Sequence, residues 1–299
     1  MPGCDKLSER CIKRKGYGSY DDLENLNYVL DCPALDPSCM PKNVLAEIEQ
    51  GSYHGGTTLG KGHVDAAGKL VHEKEDGSLV DYGTEWNDYD YQHAGMVLED
   101  FVKSSPSQVS HLNVVHVAAL RLYTTSSYRL FNIPLRDRTN PHPIKFTVWQ
   151  LYEGLRRLRA YAAHLSMPDF MTDETTWRGF KDLSPPDCFC DKGGTELGVM
   201  STTPSLAVAL GYANSARPLL MRLSARAMSK GADIGFLSVY PKEQESLYPP
   251  LTFLTPRSSE GSCVWKERMP SSYFDELTEG NKNAEGDEFT VIEVDPTFS

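Results

Sequence analysis

The chain has 299 residues, 40% of them hydrophobic and 24% charged, a globular composition with room for one large domain or two ordinary ones. A formal net charge of −11 argues against a general nucleic-acid binder, whose surface is usually basic. No apolar run approaches the ~18 residues of a membrane span, and residues 1–15 lack the apolar stretch of a secretory signal, so a cytoplasmic location is expected.

Seven cysteines (Cys4, Cys11, Cys32, Cys39, Cys188, Cys190 and Cys263) match no zinc-site spacing. An odd number without a secretory signal suggests mostly reduced thiols in a reducing compartment. A staple within Cys4, Cys11, Cys32 and Cys39 is the alternative.

Residues 1–95 differ from the rest. They are rich in Gly, Asp and Tyr, and only Pro41 to Gln50 reads as a short helix, with Val44, Leu45 and Ile48 on one side. His54, His63 and His72 recur every nine residues, but without paired carboxylates or i, i+4 spacing they read as loop histidines rather than metal ligands. Residues 96–299 are patterned as a second, better-defined domain. Leu112, Val115, Ala119 and Leu122 recur at helical spacing, and a further helix holds Tyr128, Leu130 and Phe131 until Pro134 ends it. From Thr147 to Leu165, an apolar stripe of Val148, Leu151, Tyr152, Leu155, Leu158, Ala162 and Leu165 marks the clearest helix, stopped by Pro168.

Between Arg121 and Lys181 ten Lys/Arg stand against five Asp/Glu. That excess is either a solvated helix face around Arg156, Arg157 and Arg159 or a positive field that draws in a dinucleotide. Extended segments follow at Thr175–Phe180, Leu197–Thr203, Leu219–Leu223, Leu251–Leu254 and Phe289–Val294. One helix interrupts them, with Thr203 as its expected N-cap and Pro204 at its first position. Helices followed by strands indicate an α+β fold. Asp275 to Glu288 is polar enough for a mobile loop.

Three segments carry candidate chemistry. Glu243 and Glu245 flank Gln244; in an extended backbone both carboxylates face one side, and their repulsion separates their pKa values. Arg178, between Trp177 and Gly179, offers a planar fork for phosphate oxygens, and the glycine permits close approach of a ligand. It could equally be a salt-bridging strand residue. Ser201, Thr202 and Thr203 put three hydroxyls at the end of a strand; Ser201 is expected to point inward and to need a polar partner.

With these segments in this order, the chain resembles the arginine-specific mono-ADP-ribosyltransferases, a family recognised by an Arg, a Ser-Thr-Ser-like run and a Glu-x-Glu. The resemblance runs from about Leu112 to Ser299. It includes Leu122-Tyr123-Thr124 with Tyr128, Asn132 and Leu135-Arg136, then Trp177-Arg178-Gly179, Gly198 to Thr203, Phe236-Leu237-Ser238, Glu243-Gln244-Glu245 and Val291 to Val294. Thr203 stands where many members have Ser, and the first hundred residues show no resemblance.

The resemblance implies two small, roughly perpendicular sheets around an NAD cleft, with helices outside. It also implies roles. Arg178, with Gly179 beside it, would bind the NAD diphosphate; Ser201 would hold Glu245, and Thr202 and Thr203 would support the nicotinamide–ribose pocket. Tyr123 would belong to the helical segment packed over the nicotinamide end. Glu245 would bond the ribose 2′-hydroxyl and Glu243 would engage the acceptor. The expected reaction is ADP-ribose transfer from NAD, as co-substrate, to arginine on a protein, with no metal. An NAD glycohydrolase needs Arg178, Ser201 and Glu245 but tolerates loss of Glu243, and a non-catalytic NAD-binding module is the reading from another class. A dehydrogenase is disfavoured, because no G-x-G-x-x-G opens a helix after a strand.

Overall fold

The computed structural model describes residues 98–124, 128–139, 142, 144–165, 171–238, 240–257, 263–268 and 288–298, apart from the side chains of Leu98, Leu130, His164 and Leu165. Before residue 98 it describes only the backbone of four short strands. The expected helix at 41–50, His54, the cysteines Cys4, Cys32 and Cys39, the Pro168 stop and the polar stretch 275–287 lie outside the described residues, whereas His63 and His72, read as loop histidines, stand on short strands, as does Cys11.

The chain opens with β1 (Cys11–Ile12), β2 (His63–Val64), β3 (Leu70–Glu73) and β4 (Leu79–Asp81). Five helices follow: α1 (Leu98–Lys103), α2 (Ser105–Val109), α3 (Val114–Tyr123), α4 (Tyr128–Arg136) and α5 (Lys145–Leu165). Then come β5 (Asp173–Phe180), α6 (Phe189–Lys192), β6 (Gly194–Glu196), β7 (Met200–Thr202), α7 (Leu206–Ala213) and β8 (Leu219–Arg226). The remainder is β9 (Ala232–Asp233), a 3-10 turn at Pro241–Glu243, β10 (Ser246–Tyr248), β11 (Thr252–Pro256), β12 (Val264–Arg268) and β13 (Glu288–Thr297). These form two compact units: 1–23 with 163–231 and 246–299, and 24–162 with 232–245.

The first unit is built on a sheet in the order β1-β6-β11-β13-β8-β5, with β12 also on β13. β13 runs parallel to β8, and β5 antiparallel to it. Strand alternation sorts the side chains of this sheet into two layers. Phe180, Leu219, Met221, Leu223, Ile292 and Val294 share one core with Met200 of β7 and Tyr248 of β10, so the small β7–β10 pair packs on this face. On the other face Leu220, Phe289 and Val291 receive Ala209, Leu210 and Ala213 of α7. The architecture is α+β, as the element order indicates.

Gly179 is where α7 meets β5. A Cβ there would fall on the Ala209 carbonyl oxygen and lie 2.7 Å from Ala213 N, so the close approach it allows is that of the helix backbone. The N-cap of α7 is not Thr203: Ser205 Oγ accepts from Val208 N at 3.4 Å, while Thr203 Oγ1 accepts from Ser205 N at 3.0 Å in the turn before it. The sequence places Thr-Pro at the helix start because that pair favours one, yet Thr203 is held in a bridge to Trp177. The expectation of reduced thiols also fails at one pair. Cys190 and Cys263 form a disulfide with Cα atoms 5.3 Å apart, and a separation of 73 residues leaves no spacing signal to read. Cys188 carries a free thiol.

In the second unit the helices follow their apolar stripes. Asn113 Oδ1 accepts from Val115 N and His116 N, and His116 Nδ1 accepts from Asn113 N, a reciprocal cap that starts α3. Val148, Leu151, Leu155 and Leu158 are the buried face of α5. Its Gly154 lets Leu120 of α3 sit where a Cβ would be 3.0 Å from the Leu120 Cδ1. Arg156 and Arg157 both grip Glu153 on the outer side, which accounts for part of the basic excess as a solvated face. Pro134 does not end α4 but lies inside it. Past the proline, Asp137 N continues the helical pattern onto the Ile133 carbonyl, and Thr139 N closes a wider turn onto the Pro134 carbonyl. Among the described residues no helix is long and apolar enough to cross a membrane.

Candidate active site

Arg178 lies on β5 and is half-buried, its guanidinium 5.2 Å from the centre of the Phe180 ring two residues on. Arg178 Nη1 donates to the Ser201 carbonyl at 2.7 Å, a charge-assisted bond that joins the arginine to the hydroxyl run. One residue away the backbone does the same: Trp177 N donates to Thr203 O at 2.7 Å, and Thr203 N to Trp177 O at 2.9 Å. A third tie reaches the strand after the glutamates. Thr202 Oγ1 donates to Ser246 O at 3.1 Å, and in the β7–β10 register Ser246 faces Thr202 and Leu247 faces Ser201. Segments separated by 23 and 44 residues in sequence are thus brought together within one unit.

The orientation of the hydroxyl run differs from expectation. Met200 and Thr202 are buried, at 1% and 2% exposure, whereas Ser201 is only half-buried. β7 turns its even-numbered residues into the core, and Ser201 therefore takes the other side. Thr203 is buried too.

The glutamates belong to the second unit, although Glu245 is joined directly to Ser246. They are not on an extended backbone. Glu243 closes the 3-10 turn, and Gln244 is left-handed, with φ 48° and ψ 49°. The i, i+2 rule therefore does not apply, and the two carboxylates sit in different surroundings. Glu245 is 6% exposed, while Glu243 is half-buried. Ser238 Oγ donates to Glu245 Oε2 at 3.4 Å and accepts from Tyr240 N at 3.1 Å. Ile234 N donates to Glu245 O at 3.0 Å, closing the intervening loop at its base. Burial, and then the charge of Glu243, push the Tyr240 phenol above its ordinary pKa.

Tyr123 is a core residue at 3% exposure. Its hydroxyl accepts from Asn132 Nδ2 at 2.9 Å, and its ring meets Phe131 edge-on. The sequence named Ser238 within the resemblance without a role, and gave none to Arg121, the buried arginine whose Nη1 donates to Leu237 O at 2.9 Å. A signal for Arg121 existed: it is the one Lys, Arg, Asp or Glu in an α3 otherwise composed of apolar residues and His116. Among the described residues no group of three His, Cys, Asp or Glu could hold a metal ion.

No family model matches the sequence, and no curated relative does. Among solved structures the chain is similar to Plx2a, an ADP-ribosyltransferase toxin from Paenibacillus larvae, at 14% identity and a TM-score of 0.47 over 67% of this chain and 95% of that one. It is similar to the ADP-ribosyltransferase HopU1 of Pseudomonas syringae at 18% identity and a TM-score of 0.46, covering 70% and 91%. The C3 exoenzyme of Clostridium limosum gives 15%, a TM-score of 0.43, and coverage of 67% and 93%. The likeness concerns overall fold and assigns no role to any residue.

Proposed function

We propose that the chain transfers ADP-ribose from NAD to arginine side chains of a protein acceptor and releases nicotinamide, with residues 96–299 as the catalytic domain and 1–95 as an extension. One observation carries the reading. The Arg178 and Thr202 side-chain bonds that tie Arg178 to Ser201 and the hydroxyl run to Ser246, the residue after Glu245, support it, because an apolar side chain at either position would pack without making them.

In this reading Arg178 holds the NAD diphosphate, its guanidinium a planar fork suited to phosphate oxygens. Ser201, on the open side of β7, orients the Glu245 carboxylate, and Thr202 and Thr203 stiffen the strand end beneath the nicotinamide ribose. Loss of nicotinamide leaves an oxocarbenium-like ribosyl cation, which a fixed carboxylate stabilises most strongly where water is largely excluded. Glu245 is the buried carboxylate and takes that role, bonding the ribose 2′-hydroxyl. A guanidinium is protonated at physiological pH and becomes nucleophilic only when a base orients it and accepts its proton. Glu243, the more exposed carboxylate, meets that need. Tyr123 acts through packing of the helical segment rather than by direct contact. Cytoplasmic residence fits poorly with the Cys190–Cys263 disulfide, since such bonds persist chiefly in oxidising compartments.

The test is nicotinamide release from NAD by the purified protein, with and without agmatine as a free guanidine. Release that rises with agmatine and yields ADP-ribosyl-agmatine supports arginine transfer. Release indifferent to agmatine indicates a glycohydrolase, and no release in either condition refutes the reading.

A further inference from the structure

Arg121 is 2% exposed, in the last turn of α3. A buried guanidinium is costly unless its charge is met, and an apolar side chain would fill the same space without that penalty. Two of its contacts give the charge a use. One face lies 4.3 Å from the centre of the Phe101 ring, and Nη1 reaches the Leu237 carbonyl at 2.9 Å, 116 residues away in sequence.

Leu237 sits in a tight turn. Leu237 N and Ser238 N both donate to Ile234 O at 3.0 Å, and Ile234 N in turn bonds the Glu245 carbonyl. The next residue, Ser238, is fully buried and supplies the hydroxyl that reaches Glu245 Oε2. At 3.4 Å that bond is longer than a strong hydroxyl–carboxylate bond, so a shift of a few tenths of an ångström in the turn decides whether it forms.

We propose that Arg121 is a positioning residue: by holding the Leu237 carbonyl it fixes the turn 234–238 and, through Ser238, the carboxylate of Glu245. The proposal rests on the reading of Glu245 as the carboxylate that works on NAD. In this proposal Arg121 acts through the turn and not by contact with NAD. Lysine can still donate to one carbonyl, whereas methionine fills the space and donates nothing.

The test uses the full chain with R121M, R121K and S238A, read by nicotinamide-release kinetics and by backbone amide hydrogen exchange. Expected is a fall of about tenfold or more in kcat for R121M and S238A, with KM for NAD within about threefold and substantial recovery in R121K. The amides of Leu237, Ser238 and Tyr240 should exchange about tenfold faster in R121M, while those of Val117 to Leu120 in α3 stay protected. Loop amides unchanged in R121M, or α3 amides loosened equally, overturn the proposal, as does wild-type kcat in S238A. If R121M does not fold, S238A and the partial loosening expected in R121K decide the matter. A wild-type protein that releases no nicotinamide refutes the catalytic reading on its own, and the exchange experiment still judges whether Arg121 holds the turn.

Discussion

His116 makes the cap of α3 sensitive to acid, and the size of the effect follows from its surroundings. Burial comes first and the Arg157 charge second in lowering its pKa from 6.5 to about 4, against a smaller opposing pull from Glu153. Protonating Nδ1 also removes the acceptor for Asn113 N. The unfolded chain therefore takes up a proton on this residue near pH 6.5, while the folded chain refuses it until about pH 4. The group's contribution is complete above pH 6.5, is lost as pH falls between these values and levels off below the lower one. At about 1.4 kcal/mol per pKa unit the loss is roughly 3 kcal/mol. Carboxylates titrate in the same range, so the assay is urea unfolding at pH 7, 6, 5 and 4.5 of the wild type against His116→Asn, which removes the titration. The wild type should lose about 2–3 kcal/mol more than the variant over this interval. Parallel pH profiles for the two proteins would refute the account.

Further outcomes follow from single contacts. Gly179→Ala should destabilise by about 2–3 kcal/mol in denaturant unfolding, because the obstacle is helix backbone; a neutral result would mean that α7 is not seated on β5 as described. Glu245→Ala should abolish nicotinamide release, whereas Glu243→Gln should lower agmatine transfer by about 100-fold and hydrolysis far less; equal losses in Glu243→Gln contradict its assignment as acceptor base. Cys190→Ser opens a disulfide spanning 73 residues and should reduce stability by about 4 kcal/mol, with added reductant lowering the melting point of the wild type but not of the variant. Gln244→Gly should retain transfer activity, while Gln244→Val places a β-branched residue at φ 48° and should cost about 1–2 kcal/mol together with transfer; full activity in the valine variant argues against a left-handed residue 244 in the working enzyme.

Sequence patterning was readable where one local rule acted alone. The α5 stripe follows directly from burial of one face, and the extended segments at β5, β8 and β13 were legible as apolar runs; the structure extends each by only a few residues. It failed where a tertiary partner overrode the local preference. Thr203-Pro204 reads as a helix start, but Thr203 is held by Trp177 and the helix waits for Ser205. The β12 strand has no clean alternation, being an edge strand of exposed and half-buried residues against β13, and it passed unnoticed. The Cys190–Cys263 pair and the Arg121–Leu237 bond leave no local trace, because their partners are 73 and 116 residues distant. Arg178, Ser201 and Glu245 could be nominated from the chain because the chemistry demands those residue types. The bonds that seat them could not.

The glutamate pair shows how a failed local rule can sharpen the chemical argument. In an extended strand both carboxylates would face one cleft and differ only through mutual repulsion. The left-handed Gln244 replaces that symmetry with a difference of environment: a buried carboxylate under the Ser238 hydroxyl and a half-exposed one beside Tyr240. Arginine transfer asks for this division. The ribosyl cation gains most from a charge shielded from water, while the acceptor must arrive from solvent and surrender its proton to a base it can reach. A glycohydrolase needs only the first of these conditions. The turn at Gln244, more than the Glu-x-Glu string, is therefore the feature that favours transfer, and in the variants above it should govern acceptor use while leaving basal nicotinamide release largely intact.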